Sequence, residues 1–194
     1  MPPRLRLWYD IYRASSWYGN TEAYGDPFSD PAYKVRSVYQ ANIWGNMHWY
    51  DAQQQGHNSG KRLLMYDEFI EMASGTVESN TFGTLVGRTG GNSLNGRRLV
   101  SLIGAEDCAG VRKQWGREIG AGAGAATSYG VHGDTFGHGY ILSYHAGDPI
   151  APLFGGACVV GISDPAGGSR CIYYDTPIWS QNSMHGARYG SEGL

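Results

Sequence analysis

A chain of 194 residues with a net charge of -2 and only 16% charged side chains is long enough for one well-buried core. That charge balance excludes nonspecific electrostatic attachment to nucleic acid or to an anionic membrane surface. Thirty glycines and 13% aromatics indicate a loop-rich α+β domain held by packing, which excludes a helical bundle.

The segment Arg6 to Ala14 alternates, with Leu7, Tyr9 and Ile11 on one face and Trp8, Asp10 and Tyr12 on the other, and predicts a first strand. The following SSWYGNTEAYGDPFSDPAY reads as a long surface loop with reversals at Asp26-Pro27 and Asp30-Pro31. Tyr33 to Tyr39 reads as another short strand. In NMHWYDAQQQG the expected N-cap is Asn46 and the stop is Gly56, giving a helix over Met47 to Gln55. LLMYDEFIEMASG predicts a second helix: Asp67 and Glu68 suit its positive end, Phe69, Ile70 and Ala73 share a face, and Gly75 ends it. Neither reaches the roughly 12 to 15 residues that would be stable alone, so both must dock on a sheet.

Beyond Gly75, Arg98 to Ile103 (RLVSLI) is the best strand by composition. The run GREIGAGAGAATSYG is too poor in large side chains to order itself and predicts a mobile or extended loop. VHGDTFGHGYILSYHAGDP reads as a second irregular stretch. The expected core is Phe69, Ile70, Leu99, Val100, Ile103 and Trp115. No run approaches the roughly 18 apolar residues of a membrane span, and MPPRLRLWYD lacks the apolar length of a signal peptide, so the chain is expected to be soluble and made in a cytoplasm.

Chemistry-bearing clusters are few. His132, Asp134, His138 and His145 are the candidate metal group by residue type, but their spacing fits no helix face and no familiar ligand motif, so no metal site is assigned. Gly120-Ala121-Gly122-Ala123-Gly124 lacks the strand, helix and downstream acid of a dinucleotide loop. There is no GKS, GKT or GxSxG. Glu68, Glu71, Glu106 and Asp107 could pair for acid-base work, yet no second constellation supplies a nucleophile. No catalytic residue and no cofactor follow. Cys108, Cys158 and Cys171 form no CxxC; three buried thiols or a Cys158–Cys171 pair both fit the sequence.

The stretch Phe154 to Arg188 is different in kind. Gly155, Gly156, Gly161, Gly167, Gly168 and Gly186 divide it into short strands and turns, and large amphipathic side chains sit between them. Aromatics on glycine-punctuated turns suit a recognition surface, because they give contact area at small entropic cost. They also suit an irregular end to an ordinary core. On residues alone, a binding module fits better than an enzyme.

Three segments together resemble a known family: HWYDAQQQGHNSGKRLLMYDEFIEMASG, GRRLVSLIGAEDCAGVRKQWGRE, and LFGGACVVGISDPAGGSRCIYYD with HGARYG. The resemblance, from about Trp44 to Gly190, is to C-type-lectin-fold domains of the formylglycine-generating-enzyme type. More narrowly, it is to the variable proteins of diversity-generating retroelements. It implies a single domain over 1–194, with two short helices on small twisted antiparallel sheets, the first strand pairing near the chain's end, and a hypervariable ligand-binding region at 154–188. The anchors carried over are Gly155-Gly156, Gly168-Ser169-Arg170 and Gly186-Ala187-Arg188. The variable surface carried over is Ala157, Val159, Val160, Ile162, Tyr173, Tyr174, Asp175, Trp179, Gln181, Asn182 and Met184.

Adenine-directed mutagenesis of an AAC or AAT codon can yield Val, Ile, Tyr, Asp or Ala but not Trp, Gln or Met. Trp179, Gln181 and Met184 therefore derive from other adenine-bearing codons or belong to the scaffold. The implied function is binding, without enzymatic activity, of a protein or other macromolecule such as a host-cell surface receptor, with no nucleic acid partner and no membrane insertion. The implied place is a virion tail or surface, or display on a cell. Tyr173, Tyr174 and Trp179 are the expected aromatic anchors, Asp175 and Asn182 the hydrogen-bonding ones, with truncations there expected to change stability within about 0.5 kcal/mol. The alternatives are an oxidase of the formylglycine-generating class or a fixed structural virion component. Against the oxidase, that class uses a closely spaced cysteine pair, whereas Cys158 and Cys171 stand 13 apart. The Glu-Pro-Asn and Trp-Asn-Asp signatures of calcium-dependent sugar binding are absent from the sequence.

Overall fold

The computed structural model describes residues 7–10, 13–18, 21–23, 30–76, 90, 93–94, 97–121, 127–131, 139–143, 148–156, 168–174 and 176–192. Strands and helices are numbered in chain order. Tyr189–Glu192 (β16) lies between Leu7–Tyr9 (β1) and Arg62–Leu63 (β5) in an antiparallel sheet, with Leu7 opposite Glu192 and Tyr189 opposite Leu63. The expected pairing of the first strand near the chain's end is present. The described part of that strand is Leu7–Tyr9, with Asp10 N–H still donating to Tyr189 O at 2.9 Å; Arg6, Ile11 and Tyr12 lie outside the described residues. Arg13 is fully buried and donates through Nε to Asp107 O at 2.9 Å.

Ala14–Tyr18 (β2) then joins a second sheet, between Thr21–Glu22 (β3) and Tyr33–Ser37 (β4). This corrects the reading of the stretch after Ala14 as loop. Trp17 and Tyr18 are strand formers, and the sequence pair Gly19-Asn20 separates the register partners Tyr18 and Thr21, the spacing of a two-residue hairpin.

The largest sheet has the order Thr127–Val131 (β10), Gly139–Ser143 (β11), Arg170–Tyr174 (β14), Leu153–Phe154 (β13), Lys113–Trp115 (β8) and His185–Gly186 (β15). The β11–β14 and β8–β15 pairs are parallel and the others antiparallel. Both β10 and β11 fall in stretches read as irregular. Long-range pairing to each other and to β14 makes them strands, an effect of tertiary context on weakly patterned segments. Smaller ladders join Ser93–Leu94 (β6) to Arg97–Arg98 (β7), and Gly120–Ala121 (β9) to Pro149–Ile150 (β12).

The expected strand Arg98 to Ile103 is mostly a reversal. Ser101 N–H donates to Ala105 O at 2.8 Å, Val100 bridges to Glu106, and Gly104 takes φ +86°. Leu99 is the run's buried apolar residue among those described, beside the buried Ser101; Leu102 and Ile103 project at 82% and 57% exposure, so Ile103 is not a core residue. Val100 and Ile70 are half-buried, whereas Phe69, Leu99 and Trp115 are core as expected.

The first helix runs Trp49–Asn58 (α1), two residues later than expected at its start and three at its end. Asn46 instead takes φ +59°, and the N-cap is His48, whose Nδ1 accepts from Asp51 N–H at 3.1 Å while the Asp51 carboxylate accepts from His48 N–H. Gly56 lies inside the helix rather than ending it, and the Tyr189 ring packs against it; a Cβ there would come within 2.7 Å of that ring. The second helix, Tyr66–Ala73 (α2), matches expectation. Glu68 accepts from Met65 N–H at 2.8 Å, Glu118 accepts from Tyr66 N–H at 2.8 Å, and Gly75 turns the chain at φ +82°.

Each helix covers its own apolar cluster. Met47, Trp49, Ala52, Leu63, Trp115, Leu153, Cys171, Tyr173 and Tyr189 pack with α1, and Leu64, Phe69, Met72, Cys108, Phe154 and Ile172 with α2. Alternation along β13 and β14 sends Leu153, Cys171 and Tyr173 to the first cluster and Phe154 and Ile172 to the second. The central strands are thus buried on both faces.

Candidate ligand-binding site

Strand β14 leaves the core at Tyr174, and the chain returns to it at His185 in β15; residues 176–184 connect the two across the surface. Their backbone is held at several points. Ile178, 3% exposed, donates its N–H to Pro149 O at 3.2 Å and accepts from Trp49 N–H at 3.0 Å, which ties the loop to the start of α1. Asn182 O accepts from Asn46 N–H at 3.1 Å and from His185 N–H at 2.9 Å, and Asn182 Oδ1 accepts from Met184 N–H at 2.9 Å. Arg112, at the head of β8, donates through Nη1 to Ser183 O.

Side chains on this fixed backbone line an open concavity of about 560 Å³: Trp179, Gln181, Asn182 and Met184 with Thr176, Pro177, Ser180 and His185, and with Lys113 and Asp148 from neighbouring elements. Trp179 is 53% exposed. His185 lines the concavity, and the buried Trp115 packs against it, their rings edge-on at 5.0 Å. Lys113 Nζ stands 3.8 Å from the centroid of the Tyr173 ring. The lining therefore mixes an aromatic face, neutral hydrogen-bonding groups and charges of both signs, an arrangement suited to non-covalent recognition.

Of the residues expected to form the surface, Trp179, Gln181, Asn182 and Met184 come together here. Tyr173 does not stand out as an exposed anchor: it is 6% exposed because it occupies an inward position of β14, and it acts on the site through Lys113. Tyr174 is half-buried against the α2 cluster, and burial pushes its hydroxyl pKa up. Ala157, Val159, Val160, Ile162 and Asp175 lie outside the described residues, as do Cys158 and the His132, Asp134, His138 and His145 group.

The anchors around the loop are scaffold. Gly155 takes φ +81°, and a Cβ there would lie 2.5 Å from Cys108 O. Arg188, 1% exposed, donates to Gln114 Oε1 at 3.2 Å, to Asp10 O at 2.7 Å and to Glu106 O. The four carboxylates considered for acid-base work are spread apart in role: Glu68 pairs with Arg62 at 2.6 Å, Glu71 accepts from Tyr9 at 3.4 Å, and Glu106 and Asp107 are buried beneath the buried arginines. Cys108 and Cys171 are buried, and burial pushes the Cys108 thiol pKa up, away from a reactive thiolate. Among the described residues, no group of three His, Cys, Asp or Glu side chains is placed to hold a metal, and no helix is long and apolar enough to cross a membrane.

No protein-family model matches the chain. Over 137 residues, 68% of its length, it is 31% identical to the tail fiber receptor-binding protein of Bordetella phage BPP-1. It spans about a third of that relative, 34%. Among solved structures, the U1, P3c and M1 variants of the Major Tropism Determinant match 97% of this chain and 50% of theirs, at 24% identity and a TM-score of 0.62. The chain has the fold of the Major Tropism Determinant. This is the C-type lectin fold of the retroelement variable proteins, as the three sequence segments led one to expect.

Within the Major Tropism Determinant fold, six lining residues are not among those expected from the sequence. Thr176, Pro177 and Ser180 belong to the loop itself, His185 to β15, and Lys113 and Asp148 reach the concavity from elsewhere in the fold. Lys113 arrives only through the parallel β8–β15 pairing, which places it opposite His185.

Proposed function

We propose that the chain is a receptor-recognition protein of a phage tail. In this reading it binds a macromolecule on the host-cell surface through the 157–184 region, without enzymatic chemistry, and its surface is rewritten by a diversity-generating retroelement. The domain is 1–194 with its variable region at 154–188. The supporting observation is the contrast within one loop: the 176–184 backbone is fixed by Trp49, Asn46 and Arg112, while Trp179, Gln181 and Met184 point into an open concavity. A frame of this kind lets side chains change while their positions stay constant, which suits a surface that must be diversified. Ala157, Val159, Val160, Ile162, Tyr174 and Asp175 extend the surface, and Tyr173 supports it from below.

Two measurements test the reading. Sequencing the DNA flanking the gene should reveal an imperfect repeat whose mismatches to the 157–184 codons are confined to adenines; absence of any such repeat refutes diversification. Labelled protein should bind intact host cells, and a Trp179→Ala, Gln181→Ala double variant should lose that binding while remaining folded. Undiminished binding by the folded double variant refutes the assignment of the surface.

A further inference from the structure

One tie on the loop comes from a side chain on another element and sits beside a backbone of unusual conformation. Arg112 is 5% exposed, and its own carbonyl accepts from Arg13 Nη2 at 2.6 Å, so its backbone is fixed. Its Nη1 reaches Ser183 O past Gly45, where any Cβ would collide with the guanidinium and lie 3.1 Å from Ser183 O. The next residue, Asn46, takes φ +59° and donates its N–H to Asn182 O. Gly45 thus leaves room for the guanidinium, Asn46 supplies a second donor, and both converge on consecutive carbonyls, Asn182 and Ser183. Neither bond uses a side chain of the loop.

Resting on the function proposed above, we infer that Arg112, framed by Gly45 and Asn46, is the positioning residue that sets the geometry of the 176–184 recognition loop independently of the side chains the loop carries. A charged donor on a carbonyl is the stronger kind of hydrogen bond, and its planar fork holds direction as well as distance. The clasp therefore fixes where Gln181, Asn182 and Met184 project whatever residues occupy positions 179, 181 and 184. Ligand specificity lies in those residues, and the ability to exchange them lies in Arg112.

The test uses hydrogen exchange on the full chain. In Arg112→Gln, the amides of Asn46, Met184 and His185 should exchange about tenfold faster or more, the factor expected for loss of one charge-assisted hydrogen bond, while those of α2 keep their protection. Gly45→Ala, which displaces the guanidinium without removing it, should do the same, and Arg112→Lys should recover part of the protection. Unchanged exchange at these three amides in both folded variants overturns the inference, as does an equal rise across the whole chain. Display libraries randomised at 179, 181 and 184, selected against hen egg-white lysozyme, separate this inference from the function it rests on. Binders from the wild-type frame but not from the Arg112→Gln frame support both, and binders from both frames overturn the clasp. No binders from either frame refutes the recognition surface and leaves the exchange measurement to decide the clasp.

Discussion

Two tryptophans 64 positions apart in sequence, Trp179 in the lining of the concavity and Trp115 packed behind its His185, separate surface from scaffold when truncated. Trp115 is 1% exposed, donates its indole N–H to Met47 O at 3.2 Å and lies edge-on to His185. Its replacement by alanine removes a full core side chain and leaves a cavity that the surrounding strands cannot close, costing about 3 to 5 kcal/mol. For a domain of this size that lowers Tm by about 10 °C. Trp179 hides about half of its surface, roughly 100 Å² of a large aromatic side chain. At about 25 cal/mol/Å² its ceiling is about 2.5 kcal/mol, and a compact unfolded state with water filling the vacated site brings the expected loss to about 1 kcal/mol. Urea unfolding followed by circular dichroism measures both. Equal losses for Trp115→Ala and Trp179→Ala would refute the division of this region into a fixed scaffold and a replaceable rim.

Four further outcomes follow from the geometry. Tyr173→Ala, once expected to be silent, should cost about 3 kcal/mol in the same unfolding assay, because its ring is buried in the α1 cluster. Gly155→Ala should lose about 2 kcal/mol or more, since a Cβ meets Cys108 O at 2.5 Å on a backbone at φ +81°. Arg188→Lys should lose about 3 kcal/mol despite keeping its charge, because an ammonium cannot serve Gln114, Asp10 and Glu106 together. The Arg62 guanidinium holds the Glu68 carboxyl below its ordinary value of 4.5, so this pair stabilises the fold above pH 4.5 and the contribution is lost as pH falls through the lower folded-state value. Glu68→Gln should therefore be less stable than wild type by about 1 kcal/mol at pH 7, a modest figure because the pair is partly solvated, with the gap closing below pH 4.5; a gap that widens on acidification would refute the pairing.

What the sequence makes legible follows interaction range. The α2 helix is readable because its acidic first turn, its apolar face and Gly75 all lie within one short window. The Gly-Gly and Gly-Ala-Arg anchors are readable through the resemblance, and the structure gives them physical roles in Gly155 and Arg188. The start of α1 misleads because Asn46 has the composition of a cap but is used at a left-handed turn, while histidine accepts through a ring nitrogen in its place. Arg98 to Ile103 misleads because apolar residues that look like a strand include two that project from a turn. Strands β10 and β11 carry weak local patterns, and their partners lie up to 31 residues away, as Gly139 opposite Arg170 shows. The concavity is hidden for the same reason: Lys113 and Asp148 join it only once the sheet has formed.

The position of β16 has a consequence for copies with a broken reading frame. The strand that follows the loop carries Tyr189, whose hydroxyl donates to Ala52 O at 2.9 Å, and it is flanked on both sides by partners, β1 and β5. A stop codon or frameshift arising anywhere in 157–184 removes Arg188, Tyr189 and the middle strand of that sheet together. Such a chain loses the Tyr189 ring from the cluster beneath α1 and the strand that joins β1 to β5. The architecture therefore couples the loop to its own reading frame: only messages translated in frame through the loop reach the strand that completes this sheet.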